Sequence, residues 1–295
     1  MGINVAVIGL DTSHSIEFPR RMQAPDCPVD QKVSGLRAVS CLRFPTPFQD
    51  EKGLDERQRQ LEAWGVRVTT KFDEAVANCD AIMIEINDAA YHWEYFNKCA
   101  SLGKIMFLDK PLADTIQNGK KIYDLIKNKN LKVFSSSSLR FVPQLIKACN
   151  EVPSPVYASI FGPLGDAPAG SGIIWYGVHT FEMLQRAMGR GAKSLFAYKN
   201  ADGVTAVVKY PGNRSAVVEL RNDGWVYGGV LRMVESGTSY FVDMGRAYTD
   251  LLIEIEAFFR TGKPPVEMDD TLEVMAMLDA TEKSVHSGKE ETIQC

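Results

Sequence analysis

The sequence predicts an α/β protein: a doubly wound parallel sheet followed by an α+β domain with an open, mainly antiparallel sheet. Three observations carry this. Short, almost uninterrupted apolar runs alternate with helical patterns through the first 135 residues, as expected of parallel strands covered on both faces. Beyond about residue 150, strand-like runs follow one another directly, separated by turn residues. The length, 295 residues, suits about two domains of ordinary size. The expected division is 1–135 and 136–295.

In order, Ile3–Ile8 reads as a buried strand stopped by Gly9, and Ile16–Met22 as a helix. Leu36–Leu42, Val66–Thr69, Ala81–Ile86, Ile105–Leu108 and Leu131–Ser135 read as further strands. Asp55–Trp64, Asp73–Ala77, Tyr91–Leu102 and Asp114–Lys129 carry the helical spacing between them. In the second part, Val156–Ile160, Ser194–Tyr198, Thr205–Tyr210, Ser215–Leu220, Gly229–Glu235 and Ser239–Val242 are strand-like. The turns Pro211-Gly212-Asn213 and Ser236-Gly237 predict two hairpins. Helices are expected over Val178–Met188, Ala247–Arg260 and Thr271–His286.

Composition narrows the function. With 33 Lys plus Arg against 37 Asp plus Glu, the net charge of -4 argues against a general nucleic-acid binder. No apolar run approaches the roughly 20 residues that span a bilayer, and no secretory leader is expected, so the expectation is a cytoplasmic protein. The six cysteines show no Cys-x-x-Cys pair and are expected as reduced thiols.

Chemistry is expected where strands end. After the first strand, Gly9-Leu10-Asp11-Thr12-Ser13-His14 occupies the place of a phosphate-binding loop, where glycines let the backbone approach a pyrophosphate at a helix N-terminus. Only Gly9 of that fingerprint is kept. Asp11 would bring a like charge to the phosphates, or would cap the following helix with Ser13. Asp11 and His14 have no third partner in view, so no metal site is expected. Arg43, at the end of the second strand, suits a ribose 2′-phosphate and so favours NADP over NAD if a nicotinamide cofactor binds. Lys110, at the carboxyl end of a parallel strand and stiffened by Pro111, could donate to a substrate hydroxyl or help to move its proton.

Asp109-Lys110-Pro111-Leu112-Ala113 resembles the Glu-Lys-Pro-Leu-Ala signature of the Gfo/Idh/MocA oxidoreductases, with Asp for Glu. Cys79–Ile84, His92 and Gly103-Lys104 fall at that family's spacing, with Asn87-Asp88 where Thr-Pro is usual. Leu139–Pro143 resembles its Arg-Phe-x-Pro segment, and Gly170–His179 its approach to the catalytic histidine. The resemblance implies a Rossmann domain joined to an open-sheet domain. It implies hydride transfer between NAD(P) and a hydroxyl or carbonyl of a sugar, cyclitol or related carbohydrate polyol. Lys110 would stand near the nicotinamide and His179 would be the general base. Gly9, Asp11, Thr12, Ser13, His14, Arg43, Asn87, His92, Asp109 and Lys110 would line the cofactor. Arg140, Trp175 and Tyr176 would meet the substrate. Trp175 stands where the family carries an aspartate, so a catalytically silent nucleotide- or sugar-binding relative is the competing expectation. Trp225 and Tyr227 are expected in a core or subunit interface, and a homo-oligomer, dimer or tetramer, is expected.

Overall fold

A computed structural model describes residues 2–295. Two compact units divide them: residues 2–113, 121–135 and 248–267 form the first, and residues 114–120, 136–247 and 268–295 the second.

The first unit holds β1 (Ile3–Ile8), β2 (Leu36–Leu42), β3 (Arg67–Thr69), β4 (Ala81–Ile84), β5 (Ile105–Leu108) and β6 (Val133–Ser135). All pair in parallel, in the order β3-β2-β1-β4-β5-β6. This is the dinucleotide-fold order, whose crevice opens at the carboxyl ends of β1 and β4, where the chain reverses direction across the sheet. The central strands explain their apolar sequences: Val5 to Ile8 and Ala81 to Ile84 are all buried. Each such Val or Ile contributes about 1.5–3 kcal/mol through burial. The crossovers run through α1 (His14–Gln23), α2 (Glu51–Ala63), α3 (Phe72–Val76), α4 (His92–Ala100) and α5 (Ile116–Lys129).

Several boundaries differ from expectation by a few residues, and two of them bear on the loops at the strand ends. The helix expected from Asp55 begins at Glu51, because the Asp50 carboxylate accepts the Gly53 N–H at 2.8 Å and caps it earlier. The strand expected to reach Ile86 ends at Ile84, which leaves Glu85 and Ile86 in the crevice loop.

The second unit is built on β7 (Tyr157–Pro163), β8 (Ser194–Asn200), β9 (Gly203–Lys209), β10 (Ser215–Arg221), β11 (Gly228–Arg232), β12 (Gly237–Phe241) and β13 (Glu291–Thr292). Their order is β12-β11-β7-β10-β9-β8-β13. Both expected hairpins form, β9 with β10 and β11 with β12. One pairing departs from the antiparallel pattern: β10 lies parallel to β7. One face of the sheet is covered by α8 (Gly177–Met188) and α10 (Met268–Ser287). Along β8 the pattern follows period two: Leu195 and Ala197 are buried while Phe196 and Tyr198 are exposed. This unit also holds α6 (Pro143–Glu151), not foreseen from the sequence, and α7 (Gly172–Trp175), whereas α9 (Ala247–Thr261) belongs almost wholly to the first unit. All six cysteines are free thiols, four of them buried.

Candidate functional site

The crevice of the first unit is built from four loops, and Gly9 sets their spacing. Its φ of +110° is a left-handed conformation, and a Cβ there would lie 2.3 Å from the Glu85 carbonyl oxygen. The loop after β1 therefore presses directly on the loop after β4. Asp11, next but one, turns its buried carboxylate into that second loop. It accepts the Asn87 N–H at 2.8 Å, the Asp88 N–H at 3.3 Å and the Thr46 hydroxyl at 2.8 Å. Burial pushes the Asp11 carboxyl above its usual range, and these donors pull it back. Thr12 and Ser13 shape the helix start. The Thr12 hydroxyl accepts the His14 N–H, its carbonyl accepts the Ser15 hydroxyl, and Ser13 Oγ lies 3.3 Å from Tyr248 Oη.

His14 opens α1 and is buried against the edge of Tyr248, with ring centroids 4.9 Å apart. Its Nδ1 lies 2.7 Å from Asp109 Oδ2 and 3.8 Å from Glu85 Oε2. Asp109 follows β5, and its Oδ1 accepts the N–H of Lys110 at 2.8 Å. Burial pushes the Asp109 carboxyl up, but the His14 and Lys110 charges and hydrogen bonds outweigh it and hold it below the usual range. Glu85 goes the other way: complete burial, then the Asp109 charge, drive it well above the usual range against the pull of Lys110. Lys110 itself is buried, 6% exposed. His92, fully buried, places its ring nitrogens 2.7 Å from the Ile86 carbonyl and 3.3 Å from that of Leu112. It thus ties the loop after β4 to the segment that carries Lys110.

Arg43 sits at the end of β2 in acidic company. It donates to Glu51 Oε2 at 2.6 Å and to Gln58 Oε1 at 2.7 Å, and pairs with Asp55 at 2.7 Å.

In the second unit, His179 stands in the first turn of α8, 8% exposed. Its Nδ1 lies 2.6 Å from the hydroxyl of Ser137, which also accepts the Leu139 N–H. The rings of Tyr176 and Tyr227 flank it at 5.3 and 5.9 Å. Trp175 meets Tyr176 edge-on, and Tyr176 meets Trp225. Tyr227 is buried, whereas Trp225 is 68% exposed. Trp225 belongs to the wall of a recess of about 670 Å³ with Gly165, Ser171, Arg221 and Glu282. Arg140 is buried and already engaged: it donates to Glu182 Oε2 at 3.0 Å and to Gln185 Oε1 at 2.5 Å.

Thus Asp11, His14, Asn87, Asp109 and Lys110 converge in the first unit, while Arg43 and Arg140 are held by neighbouring acids and amides. Sequence reasoning missed Glu85. Its one signal was a lone acid directly after a wholly apolar strand, in Ile84-Glu85-Ile86. It also missed Ser137, whose pairing with His179 spans 42 positions.

As a dinucleotide site, the crevice offers a backbone cradle at Gly9 and the opening of α1, where the side-chain cap of Ser13 is unused. The Asp11 charge, spent on three donors, does not stand as a bare carboxylate against a phosphate. The residues present therefore fit a dinucleotide through the backbone at Gly9, Thr12 and Ser13.

Residues 52–137 match the model of the Gfo/Idh/MocA oxidoreductase family, NAD-binding Rossmann fold. An "uncharacterized oxidoreductase C26H5.09c" of Schizosaccharomyces pombe is 31% identical over 77 residues, 26% of this chain and 21% of that protein. The matched stretches span 21% to 50% of the length of the curated relatives. In fold, the whole chain is similar to myo-inositol 2-dehydrogenase from Lactobacillus plantarum, with a TM-score of 0.80, 17% identity and 100% of both chains covered. It is equally similar to myo-inositol dehydrogenase from Lactobacillus casei in complex with NAD(H) and myo-inositol: TM-score 0.81, 15% identity, 100% of this chain and 98% of that one. Residues 52–137, which include the Asp109-Lys110-Pro111-Leu112-Ala113 segment after β5, thus match the NAD-binding part of that oxidoreductase family, and over its whole length the chain shares the fold of these dehydrogenases.

Proposed function

We propose that the chain is an NAD-dependent oxidoreductase acting on a hydroxyl or carbonyl of a cyclitol or related small polyol. The observation that carries this reading is the buried Lys110 amine, presented at the carboxyl end of β5 beside Asp109 in a dinucleotide-type crevice. The bound nicotinamide would accept or donate the hydride. Lys110 would hydrogen-bond the substrate oxygen as its proton moves, and Asp109 would fix the backbone at Lys110 by accepting its N–H. His179 would act as general base; its contact with Ser137 fixes the ring orientation. Gly9, Thr12 and Ser13 would receive the pyrophosphate, with Asn87 and His92 holding the loops in place. Trp175 and Tyr176 would offer apolar faces to a sugar or cyclitol ring. The two acids on Arg43 support NAD rather than NADP, since a 2′-phosphate would have to displace both. Apolar side chains on the open face of the sheet, Phe196, Tyr198 and Phe241 among them, support self-association into a dimer or tetramer.

Titration with NADH and NADPH, followed by turnover assays over a panel of inositols and sugars, tests the reading. NADH binding with hydride transfer that disappears in Lys110→Ala, at unchanged Tm, is the expected result. Wild-type turnover in that variant would overturn it. The second reading, a silent binding relative, is favoured by Trp175, which offers no carboxylate four residues before His179; it predicts ligand binding with no hydride transfer to or from any polyol of the panel.

A further inference from the structure

Three side chains from three separate elements face one point inside the first unit. His14 comes from the start of α1, Glu85 from the end of β4 and Asp109 from the end of β5. Their candidate donor atoms all lie within 4.8 Å of one another, and all three residues are buried. Glu85 is the anomaly: it is wholly inaccessible, and neither of its oxygens has a hydrogen-bond donor among the described residues. Two carboxyl groups buried against each other repel as charges, and such a pair is retained where a shared proton or a cation offsets the repulsion.

One imidazole nitrogen and two carboxylates form a donor set suited to zinc or manganese. Metal bonds of about 2.0–2.2 Å place tetrahedral ligand atoms about 3.3 Å apart. The 2.7 and 3.8 Å separations around His14 Nδ1 bracket that value, so small side-chain shifts would suffice. The Lys110 charge acts on both carboxylates and competes with a bound cation. That competition favours an ion held by three direct ligands over a weakly held, largely hydrated one. We infer that His14, Glu85 and Asp109 form a binding site for one divalent transition-metal ion, Zn²⁺ or Mn²⁺. This inference does not depend on the oxidoreductase reading.

The test uses untagged, full-length protein stripped with EDTA and titrated with Zn²⁺ and with Mn²⁺ by calorimetry, with Tm recorded in parallel. One equivalent of either ion is expected to bind with a Kd of about 10 μM or tighter and to raise the Tm. Glu85→Gln and His14→Ala should each weaken binding by about tenfold or more, whereas His286→Ala, on the exposed end of α10, should not. Glu85→Gln retains the shape and replaces one ligand oxygen by an amide N–H₂ that can donate to Asp109, so its metal-free Tm should stay close to that of wild type. Absence of binding by both ions, or unchanged affinity in Glu85→Gln, overturns the inference. If both site variants fail to fold, the visible spectrum of wild-type protein with one equivalent of Co²⁺ decides. Bands of a low-symmetry N/O site support the inference, and the spectrum of aqueous Co²⁺ overturns it.

Discussion

Replacing Asp11 by alanine tests whether the carboxylate is the clasp between the loops after β1 and β4. The substitution strands two backbone N–H groups, of Asn87 and Asp88, and the Thr46 hydroxyl. A buried donor left without its acceptor costs about 1–3 kcal/mol. Three at the low end give about 3 kcal/mol, because burying the carboxylate already costs energy that the variant recovers. Asp11→Asn keeps one acceptor oxygen but turns an amide N–H₂ toward a donor, so about 1–2 kcal/mol is expected. At about 2 °C per kcal/mol for a chain of this size, the alanine variant should melt about 6 °C lower and the asparagine variant about 3 °C lower. Urea denaturation read by fluorescence, with Tm from calorimetry, measures both. An alanine variant as stable as wild type would refute the clasp. So would an asparagine variant less stable than the alanine one.

Further expectations follow from the same kind of accounting. Gly9→Ala combines a left-handed φ with a Cβ 2.3 Å from backbone oxygen, so a loss of about 3 kcal/mol or more is expected in the urea midpoint. Arg140→Met leaves Glu182 buried beside no cation and should cost about 3–5 kcal/mol, read in the same way. Burial raises the Glu273 carboxyl, opposed by the N–H groups of Gly191 and Ala192. A raised folded-state pKa contributes stability below the unfolded carboxyl range and loses it as pH rises through the folded value. Glu273→Gln, always neutral, should therefore gain Tm relative to wild type as pH rises from the unfolded carboxyl range toward neutrality; a difference that stays flat over that rise would contradict the reading.

Much of the fold was legible because local pattern encodes burial. Val5 to Ile8 and Ala81 to Ile84 read as doubly covered strands, and they lie side by side at the centre of the sheet. The glycine turns after β9 and β11 announced the two hairpins that form. Gly9 and Lys110 were also visible, since both stand directly where an apolar run stops. What escaped were relations between side chains far apart in the chain. Nothing local to Glu85 shows that it faces His14 and Asp109, which are themselves 95 positions apart. Nor does the sequence around Asp11 show its carboxylate turning toward Asn87 and Asp88, or that around Arg43 reveal its acid partners on α2.

Local sequence set most of the strands and helices, though not α6, and showed which residues stand at strand ends. Periodic burial and the steric needs of glycine act within a few residues of where they are written. The parallel pairing of β7 with β10 and the gathering of His14, Glu85 and Asp109 arise from the folded chain alone. Strand order and register bring those groups to one place, and they emerge from packing the whole chain at once.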